Sequence, residues 1–405
     1  MKQILFVINT MGYGGAERAM ISLMKKLSPE EYKISLYVLL SQGELLSEVP
    51  SYVTVLNPEY SKESVLSQKG KKQLKKQVLC QMLSCGAVFR NIGYLIRNLA
   101  AMGKRGMLYP DKLLWRVMAD GGMKNDTHYD LAVAYLEGGA TYYVNRHIKA
   151  DKKVAFIHVD YKKAGYTRAL DRDCYLDFDQ IFSVSDEVKQ SFLSVYPECK
   201  SKTAVFHNII DEQEIREKAL LPGGFSDSYT GYRILTVGRL TGQKAYEVAI
   251  EAMKMIKDRG IEARWYVLGD GELKKELTGQ IERLGLTDSF FLLGVKENPY
   301  PYYRQCDLYV HATRFEGKSI AIQEAKLLGC AILVSDTSGN REQITDGING
   351  RMCALDAKSI ADMAAELLLD EKERKRYSMQ VQKEKLSEKE ETDRNIRRLL
   401  DANKA

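Results

Sequence analysis

Cysteine is present in this 405-residue chain, but not in the patterns that bind metal or build a disulfide framework. Its seven cysteines are scattered, none forms a CxxC pair, and their odd number argues against a disulfide-stabilised secreted fold. The first residues, MKQILFVI, run directly into a strand pattern and contain no apolar segment long enough for a secretory signal. We therefore expect a protein that stays in the cytoplasm, with most cysteines acting as small buried apolar side chains.

The chain also has little excess of one charge over the other, because its formal net charge is only +6. The composition, 45% apolar and 28% charged, is that of an ordinary globular protein. A chain of 405 residues exceeds one ordinary core and predicts two domains of roughly 200 residues each.

Short apolar runs alternate with helical patterns in two series. The first series comprises 3–9, 33–40, 131–135, 153–158, 180–184 and 203–207, and the second 233–239, 264–268, 290–293, 308–311 and 331–335. Such alternation predicts parallel sheets covered by helices, hence an α/β protein of two Rossmann-like, doubly wound domains. We place the linker at the turn-rich segment 222–231, which gives domains 1–221 and 222–380 and a charged, solvated helix at 381–405.

The segment 60–125 departs from this rhythm. Five cations lie on a seven-residue grid, namely Lys69, Lys76, Arg90, Arg97 and Lys104. Four polar residues follow one position later, namely Ser84, Asn91, Asn98 and Arg105. We predict one basic amphipathic helix, either packed by its apolar face on the first sheet or lying through 69–105 on an anionic membrane surface.

Glu316 and Glu324 are separated by seven residues where a loop enters a helix. Glu316 precedes the helix and Glu324 lies about a turn and a half inside it. Backbone N–H groups from Gly317 to Ile320 would face the same ligand. Because helix N-termini attract phosphate and carboxylates accept from hydroxyls, this pattern predicts a site for a sugar nucleotide.

Arg239 and Lys244 follow the first strand of the second series. They emerge at the carboxyl edge of the predicted sheet, where ligands bind in open α/β folds. Although both could be ordinary surface cations, their position beside glycines favours a diphosphate site.

In the first domain, Gly14 and Gly15 form a strand-to-helix turn, and His158 ends an apolar strand. The glycines either serve the turn alone or let a ligand approach the backbone. His158 is equally a satisfied core histidine or a cleft residue until other motifs are considered. The aspartate pairs Asp171/Asp173 and Asp177/Asp179 predict a polar turn, and we expect no metal site.

In order along the chain, these motifs resemble those of the retaining glycosyltransferases of the GT-B fold, family 4, often called the glycosyltransferase group 1 family. The resemblance rests on Gly14-Gly-Ala-Glu-Arg18, Gly238-Arg-Leu240 with Lys244, Gly269-Asp-Gly-Glu272, Glu316 with Glu324, Ser338-Gly-Asn-Arg-Glu342 and Asp346-Gly-Ile-Asn-Gly350. It covers nearly all of the second domain and the start of the first, while 60–125 fall outside it. It implies two domains facing each other across a cleft.

The resemblance also implies roles for individual residues. Arg239 and Lys244 would hold the donor diphosphate, Glu324 would accept from ribose hydroxyls, and Glu316 would lie against the transferred sugar. The implied catalytic set is Arg239, Lys244, Glu316 and His158. The implied donor-binding set is Gly14, Gly15, Arg239, Lys244, Glu316, Gly317, Lys318, Ser319, Ile320 and Glu324.

The chain departs from the family pattern at two places. Ala245 stands where glycine is usual after the lysine, and Lys318-Ser319 replaces the usual residues after Gly317. Backbone contacts to phosphate survive such changes, but the sugar pocket is altered, and Lys318 adds a cation.

The implied activity is transfer of a sugar, with retention, from a nucleotide-sugar donor to a saccharide or lipid-linked acceptor in bacterial-type surface polysaccharide biosynthesis. We expect a UDP-sugar donor, no metal or other cofactor and no nucleic acid partner, in the cytoplasm or on the inner face of the plasma membrane. Two alternatives remain. One is a nucleotide-sugar epimerase or hydrolase on the same fold, and the other is a non-catalytic, glycosyltransferase-like partner subunit.

Overall fold

The computed structural model describes residues 1–104, 106, 109–384 and 389–401. These residues form two compact units. The first contains Met1–Ile209 and the described residues from Lys389 to Asp401, and the second contains those from Ile210 to Glu384.

The first unit is built on a parallel sheet. Its strands are β1 (Lys2–Ile8), β2 (Tyr32–Val38), β3 (Thr54–Val55), β4 (His128–Ala134), β5 (Lys149–Ile157), β6 (Gln180–Ser183) and β7 (Thr203–Val205). Their order is β3-β2-β1-β4-β5-β6-β7, with Ile4 opposite Ile34 on one side and Leu131 on the other. The predicted doubly wound sheet is confirmed, whereas the short β3 was not predicted.

The first unit contains the helices α1 (Gly15–Lys25), α2 (Gln68–Leu83), α3 (Ala87–Arg90), α4 (Ile92–Lys104), α5 (Pro110–Asp120), α6 (Gly139–His147), α7 (Arg168–Asp171) and α8 (Asp186–Leu193). The sheet is buried on both faces. Successive residues of β1 point to opposite faces, so that Ile4 and Phe6 enter one apolar core and Leu5 and Val7 the other. Burial on both faces explains the continuous apolar runs.

The second unit repeats the plan with a smaller parallel sheet. Its strands are β8 (Tyr232–Val237), β9 (Ala263–Leu268), β10 (Phe290–Leu292), β11 (Leu308–His311), β12 (Ile332–Ser335) and β13 (Arg351–Cys353), in the order β10-β9-β8-β11-β12-β13. Its helices are α9 (Glu212–Leu220), α10 (Tyr246–Asp258), α11 (Lys274–Arg283), α12 (Tyr300–Gln305), α13 (Ile320–Leu327), α14 (Ser338–Arg341), α15 (Ala357–Leu369) and α16 (Glu371–Lys383). The predicted two-domain α/β architecture is therefore confirmed.

The domain boundary lies earlier than predicted. Helix α9 already belongs to the second unit, and the turn-rich segment 222–231 packs there instead of acting as a linker. Asp227 accepts hydrogen bonds from Arg233 at 2.8 Å and Arg264 at 3.1 Å, and the Phe225 ring lies 4.4 Å from that of Tyr266. Glycine and serine marked turns correctly, but the side-chain contacts of Phe225 and Asp227 anchor these turns to the second unit.

The charged C-terminal region is also not one solvated helix. Tyr377 and Val381 of α16 are buried in the second unit, and a further helix, α17 (Lys389–Leu400), returns to the first. There Leu399 is fully buried, and Lys152 donates to the carbonyl groups of Arg398 at 2.8 Å and Leu399 at 3.2 Å. A single apolar face, diluted by many charges, was enough to dock each helix.

The basic helix predicted over 69–105 is broken, and six of its large apolar side chains face outward instead of toward the protein. Cys85 (φ 50°) and Gly86 (φ 66°) interrupt it, and the segments Gln68–Arg90 and Ile92–Lys104 meet at 90°. Asn91 and Asn98 are buried at 1% and 4% exposure, and Asn91 donates to Asp120 of α5 at 2.8 Å. The helices thus pack on α5 through Asn91 and through an apolar cluster of Tyr94, Met102, Leu113 and Leu170, and the predicted packing of an apolar face on the sheet was wrong. Arg105 lies outside the described residues.

Six large apolar side chains of this insert point outward. The exposed members are Leu79, Leu83, Phe89, Ile92, Ile96 and Leu99, with exposures of 52–71%. No single helix in the described part of the chain is both long and apolar enough to cross a membrane.

Candidate functional site

The loop from β11 to α13 carries Glu316 and is fixed by a hydrogen-bonded bracket. Arg314 N–H donates to Gln243 O at 2.8 Å, and the Gln243 amide donates to Phe315 O at 2.8 Å. Thr313 N–H donates to Ser335 Oγ at 2.9 Å. These bonds tie the Glu316 loop to the segment that carries Lys244, so residues far apart in sequence meet.

Gly339, at the start of α14, packs directly under this loop. A Cβ atom at Gly339 would lie 2.2 Å from Glu316 O and 2.5 Å from Gly317 O. Only a residue without a side chain lets α14 approach so closely. The motif Ser338-Gly-Asn-Arg-Glu342 thus contributes by supporting the loop backbone.

Lys244, Glu316 and His311 form one buried polar cluster. The Lys244 ammonium pairs with Glu316 Oε2 and lies 3.1 Å from His311 Nε2, which is 3.2 Å from the same carboxylate oxygen. Burial raises the pKa of Glu316, but the positive charge of Lys244, the largest opposing effect, outweighs it and lowers the pKa to about 2. Glu316 is therefore ionised at neutral pH and cannot act as a general acid.

His311 lies beneath this ion pair and is 1% exposed. Burial, followed by the charge of Lys244, lowers the pKa of His311 to about 4, so the imidazole is neutral near pH 7. Its Nδ1 lies 3.1 Å from the Tyr309 hydroxyl. Sequence reasoning missed His311, although strand periodicity puts Tyr309 and His311 on the face opposite Leu308 and Val310, which enter the core.

Helix α13 presents its N-terminus beside Glu316. The Gln323 N–H donates the first hydrogen bond of the helix to the carbonyl oxygen of its N-cap residue, Ser319, at 3.2 Å. The Ile320 N–H therefore has no partner one turn back. The Ser319 N–H is engaged differently, because the Gln343 side chain accepts from it at 2.8 Å. Of the backbone N–H groups predicted to face a ligand, that of Ser319 is thus already hydrogen-bonded to Gln343.

Glu324 lies inside α13, as predicted, and is 6% exposed. Its carboxylate accepts from the Tyr300 hydroxyl at 3.2 Å and the Tyr303 hydroxyl at 3.1 Å. Both tyrosines come from α12 and were missed, because nothing in the sequence pairs that helix with α13. The two hydroxyls, one on each oxygen, fix the orientation of the carboxylate.

Arg239 is exposed at the loop after β8. No ion pair joins its guanidinium to another residue that the structure describes. The aliphatic part of Lys244 runs past Gly238, where a Cβ would lie 3.4 Å from Lys244 Cε. The structure thus brings Lys244 and Glu316 into contact and leaves Arg239 as a nearby exposed cation.

In the first unit, Gly14 is the N-cap of α1 and Gly15 its first residue. Gly14 has φ −136°, so the turn does not use positive φ. A Cβ at Gly14 would lie 2.1 Å from a Glu17 carboxylate oxygen. Glu17 therefore folds back over the helix start, at the position of a capping-box glutamate.

His158 follows β5, and its backbone N–H donates to Glu137 Oε2 at 3.1 Å. Burial lowers the pKa of His158 to about 4, and its Nε2 is buried with no hydrogen-bond partner among the described residues. Its ring lies 5.1 Å from that of Tyr135. A neutral imidazole with an unsatisfied nitrogen favours a ligand role over a satisfied core histidine. Glu137 was missed.

The aspartate pairs have structural partners. Asp171 accepts from Tyr142 at 2.7 Å and Tyr196 at 3.0 Å, and Asp173 pairs with Arg168 at 2.6 Å. Asp177 accepts from Asn145 and Asp179 from the Lys153 N–H. Among the described residues, no group of three or more His, Cys, Asp or Glu side chains is arranged to hold a metal ion.

Comparison with known proteins finds glycosyltransferases. Residues 227–384 match the family described as glycosyl transferases group 1. A Campylobacter jejuni protein, N-acetylgalactosamine-N,N'-diacetylbacillosaminyl-diphospho-undecaprenol 4-alpha-N-acetylgalactosaminyltransferase, is 26% identical over 386 residues, covering 93% of each chain. Erwinia amylovora amylovoran biosynthesis glycosyltransferase AmsK is 32% identical over 126 residues, covering 29% of this chain and 31% of its own.

Solved structures give the same fold at low identity. Anabaena HepE in complex with UDP and glucose has a TM-score of 0.64 at 16% identity, covering 99% of this chain and 96% of its own. TarM has a TM-score of 0.67 at 13% identity, covering 99% of each chain. The second unit thus matches the group 1 glycosyltransferases, and the chain as a whole is similar to a glycosyltransferase in sequence and shares the fold of these structures.

Proposed function

We propose that this protein transfers a sugar, with retention and without a metal, from a UDP-sugar to a saccharide or lipid-linked acceptor. The observation that carries the proposal is the buried cluster of Lys244, Glu316 and His311 at the N-terminus of α13. It combines a cation and helix amides for phosphate with a carboxylate for sugar hydroxyls.

The chemistry follows from charge. Cleavage of a glycosyl–phosphate bond develops negative charge on the leaving diphosphate and positive charge on the sugar. Lys244 and the amide of Ile320 stabilise the first charge, and ionised Glu316 lies where it can hold sugar hydroxyls. The leaving phosphate takes the acceptor's proton, so Glu316 and Glu324 act in binding and not as an acid–base pair.

The donor and acceptor classes draw support from relatives. The Anabaena HepE structure contains UDP, which favours a uridine donor. The Campylobacter relative is named for a diphospho-undecaprenol acceptor, which favours a lipid-linked saccharide here.

Lys244→Met tests the site. Because it removes the cation facing the leaving phosphate, we expect kcat/KM with a UDP-sugar to fall about 100-fold or more, with little change in melting temperature. Lys254→Met is the matched control, since Lys254 lies on α10 and pairs only with Asp258. Equal activity in both variants would contradict the assignment, and a loss of activity in EDTA would contradict metal independence.

Product analysis separates the alternatives. Sugar transferred only when an acceptor is present supports a transferase, whereas free sugar or an epimerised nucleotide without acceptor supports the epimerase or hydrolase. No binding of UDP- or GDP-sugars in a thermal-shift screen, despite normal folding, supports the non-catalytic subunit.

We also propose that the insert docks this enzyme on an anionic membrane surface. Between Ser64 and Pro110 the sequence has nine Lys and Arg residues and no Asp or Glu. The six outward-facing apolar side chains of α2–α4 lie among these cations. Cations that attract acidic headgroups around aliphatic groups that enter the interface are the two features of a peripheral membrane helix.

Vesicle sedimentation tests this docking. We expect binding to phosphatidylglycerol-containing vesicles, weaker binding at high salt, and none to purely zwitterionic ones. Phe89→Glu with Ile96→Glu should abolish binding, while Leu369→Glu, an equally exposed site in the second unit, should not. Equal absence of binding to both kinds of vesicle would disprove the docking.

A further inference from the structure

A row of buried side chains lies behind the donor-site cluster. Tyr309 and His311 project from the same face of β11, toward α12 and α13. Their hydrogen bond is 3.1 Å long, and the Tyr309 ring lies 5.3 Å from that of Tyr303, whose hydroxyl donates to Glu324. The row therefore extends from Lys244 and Glu316 to Glu324.

Lys244 and Glu316 make opposite demands on His311 Nε2. A lysine ammonium only donates, so a hydrogen bond from Lys244 over 3.1 Å needs a lone pair on that nitrogen, whereas the ionised Glu316 carboxylate at 3.2 Å would accept from a proton carried there. Because Lys244 already bonds to the same Glu316 oxygen, one ammonium serves both acceptors when the imidazole proton is on Nδ1, which lies 3.1 Å from the Tyr309 hydroxyl.

This tautomer satisfies every member of the cluster. Lys244 donates to both Glu316 and His311, so the 3.2 Å approach of Glu316 to Nε2 is bridged by one ammonium group. Ser319 Oγ, at 3.5 Å from Nε2, adds a hydroxyl on the side of α13. His311 thus contacts three groups of the proposed donor site while being almost inaccessible itself.

We propose that His311 is a positioning residue: as its neutral Nδ1–H tautomer, held by Tyr309, it accepts from Lys244 and holds that ammonium toward the donor diphosphate. This inference rests on the proposed function for its consequence in catalysis. The tautomer itself is independent of any substrate.

Loss of His311 has a consequence distinct from unfolding. Without an acceptor at this position, Lys244 keeps only its bond to Glu316, and the two charges neutralise each other. The ammonium is then less available to the leaving phosphate. Catalysis should suffer more than ground-state binding, because charge on the phosphate grows in the transition state.

Nitrogen NMR on protein labelled at histidine gives the direct test. The chain has only five histidines, and His311→Gln identifies the resonance. We expect the Nδ1–H tautomer for His311 at neutral pH in the substrate-free protein, and a shift of the Nε2 resonance in Lys244→Met. An Nε2–H tautomer, or no response to Lys244→Met, would overturn the proposal.

Kinetics supplies the second test. His311→Leu should lower kcat by about 10- to 100-fold with a smaller change in the UDP dissociation constant, and His311→Gln, which restores an acceptor, should recover most of the loss. Val267→Ala, in the core of the same unit, controls for simple destabilisation and should retain kcat. Wild-type kcat in His311→Leu would overturn the positioning role. If wild-type protein bound no nucleotide at all, the proposed function would fail while the tautomer result stood.

Discussion

At the residue scale, two buried carboxylates titrate in opposite directions for different reasons. Glu316 faces a cation, so its pKa falls to about 2 despite burial. Asp171 is fully buried, and burial raises its pKa to about 6, although hydrogen bonds from Tyr161, Tyr142 and Tyr196 act against that rise. Neutral hydroxyl groups compensate a buried charge less well than an ammonium does.

Asp171→Asn should remove a pH dependence of stability. Burial raises the folded-state pKa of Asp171 above the usual 3.8, so protonated Asp171 contributes fully to folding stability below pH 3.8. This contribution is lost as the pH rises through about 6. The shift corresponds to about 3 kcal/mol. The free energy of unfolding of wild type, measured in urea, should therefore decrease between about pH 4 and pH 7 relative to that of Asp171→Asn. Asp173→Asn, at an exposed pair, should keep the wild-type slope, and the opposite slope would contradict the assignment.

Gly339→Ala should impair the site without unfolding the unit. The new Cβ cannot fit against the Glu316 and Gly317 carbonyl oxygens, so the loop must move away from Lys244. We expect UDP affinity to fall by about tenfold or more, measured by calorimetry. Gly279→Ala in α11, where the nearest atom would be Arg283 Nη1 at 3.5 Å, is the matched control. Unchanged affinity in Gly339→Ala would show that the loop tolerates the shift.

At the element scale, the insert α2–α4 reverses the usual rule for amphipathic helices. Asn91 and Asn98 are buried, whereas six of its large apolar side chains face outward. Asn91 bridges to Asp120, which also accepts from Arg146 at 3.0 Å and lies 2.9 Å from His147 Nε2. A polar junction on α5 thus stands beside a small apolar cluster, in place of the long apolar seam that the pattern suggested.

Asn91→Ala should therefore destabilise the first unit more than Phe89→Ala. Removing the amide takes one of two donors from Asp120 Oδ2, leaving Arg146 at 3.0 Å, and the loss of a buried hydrogen bond to a charged group costs about 1–3 kcal/mol. Phe89 is 71% exposed, so its truncation should cost almost nothing. Urea midpoints of the two variants decide, and a larger loss for Phe89→Ala would mean that the apolar face packs inward.

The limits of prediction from sequence are clearest among these elements. Strands β1, β4, β8 and β11 and the loop positions of Lys244 and Glu316 followed from apolar runs and glycines, because parallel strands are buried on both faces. The orientation of the insert did not, since Asp120, which captures Asn91, is distant in sequence. His311 and Tyr303 were missed for the same reason, as their partners come from separate elements.

At the scale of the whole molecule, α17 belongs to the unit that the chain forms first. Leu399 is fully buried in the same core cluster as Ile4 and Phe6. Lys152 binds the C-terminal carbonyl groups of this helix, as a cation stabilises a helix end. The final helix is therefore part of the first core.

Leu399→Ala should destabilise only the first unit, by about 2–5 kcal/mol as for other buried leucines. The two tryptophans allow a direct measurement, because Trp115 lies in the first unit and Trp265 in the second. With Trp265→Phe as background, the Trp115 signal should shift to lower urea. With Trp115→Phe as background, the Trp265 transition should not move. A common shift of both signals would mean that the units unfold as one.

The return of α17 gives the second unit the status of an insertion in the chain. The chain leaves the first unit after Ile209 and rejoins it at Lys389. The segment bearing Lys244, Glu316 and Glu324 can thus be exchanged as one continuous cassette with two junctions, while β1 to β7 and α17 stay together. Chimaeras that import a relative's donor-binding cassette should be cut at these two positions rather than at the glycine-rich turn near residue 222.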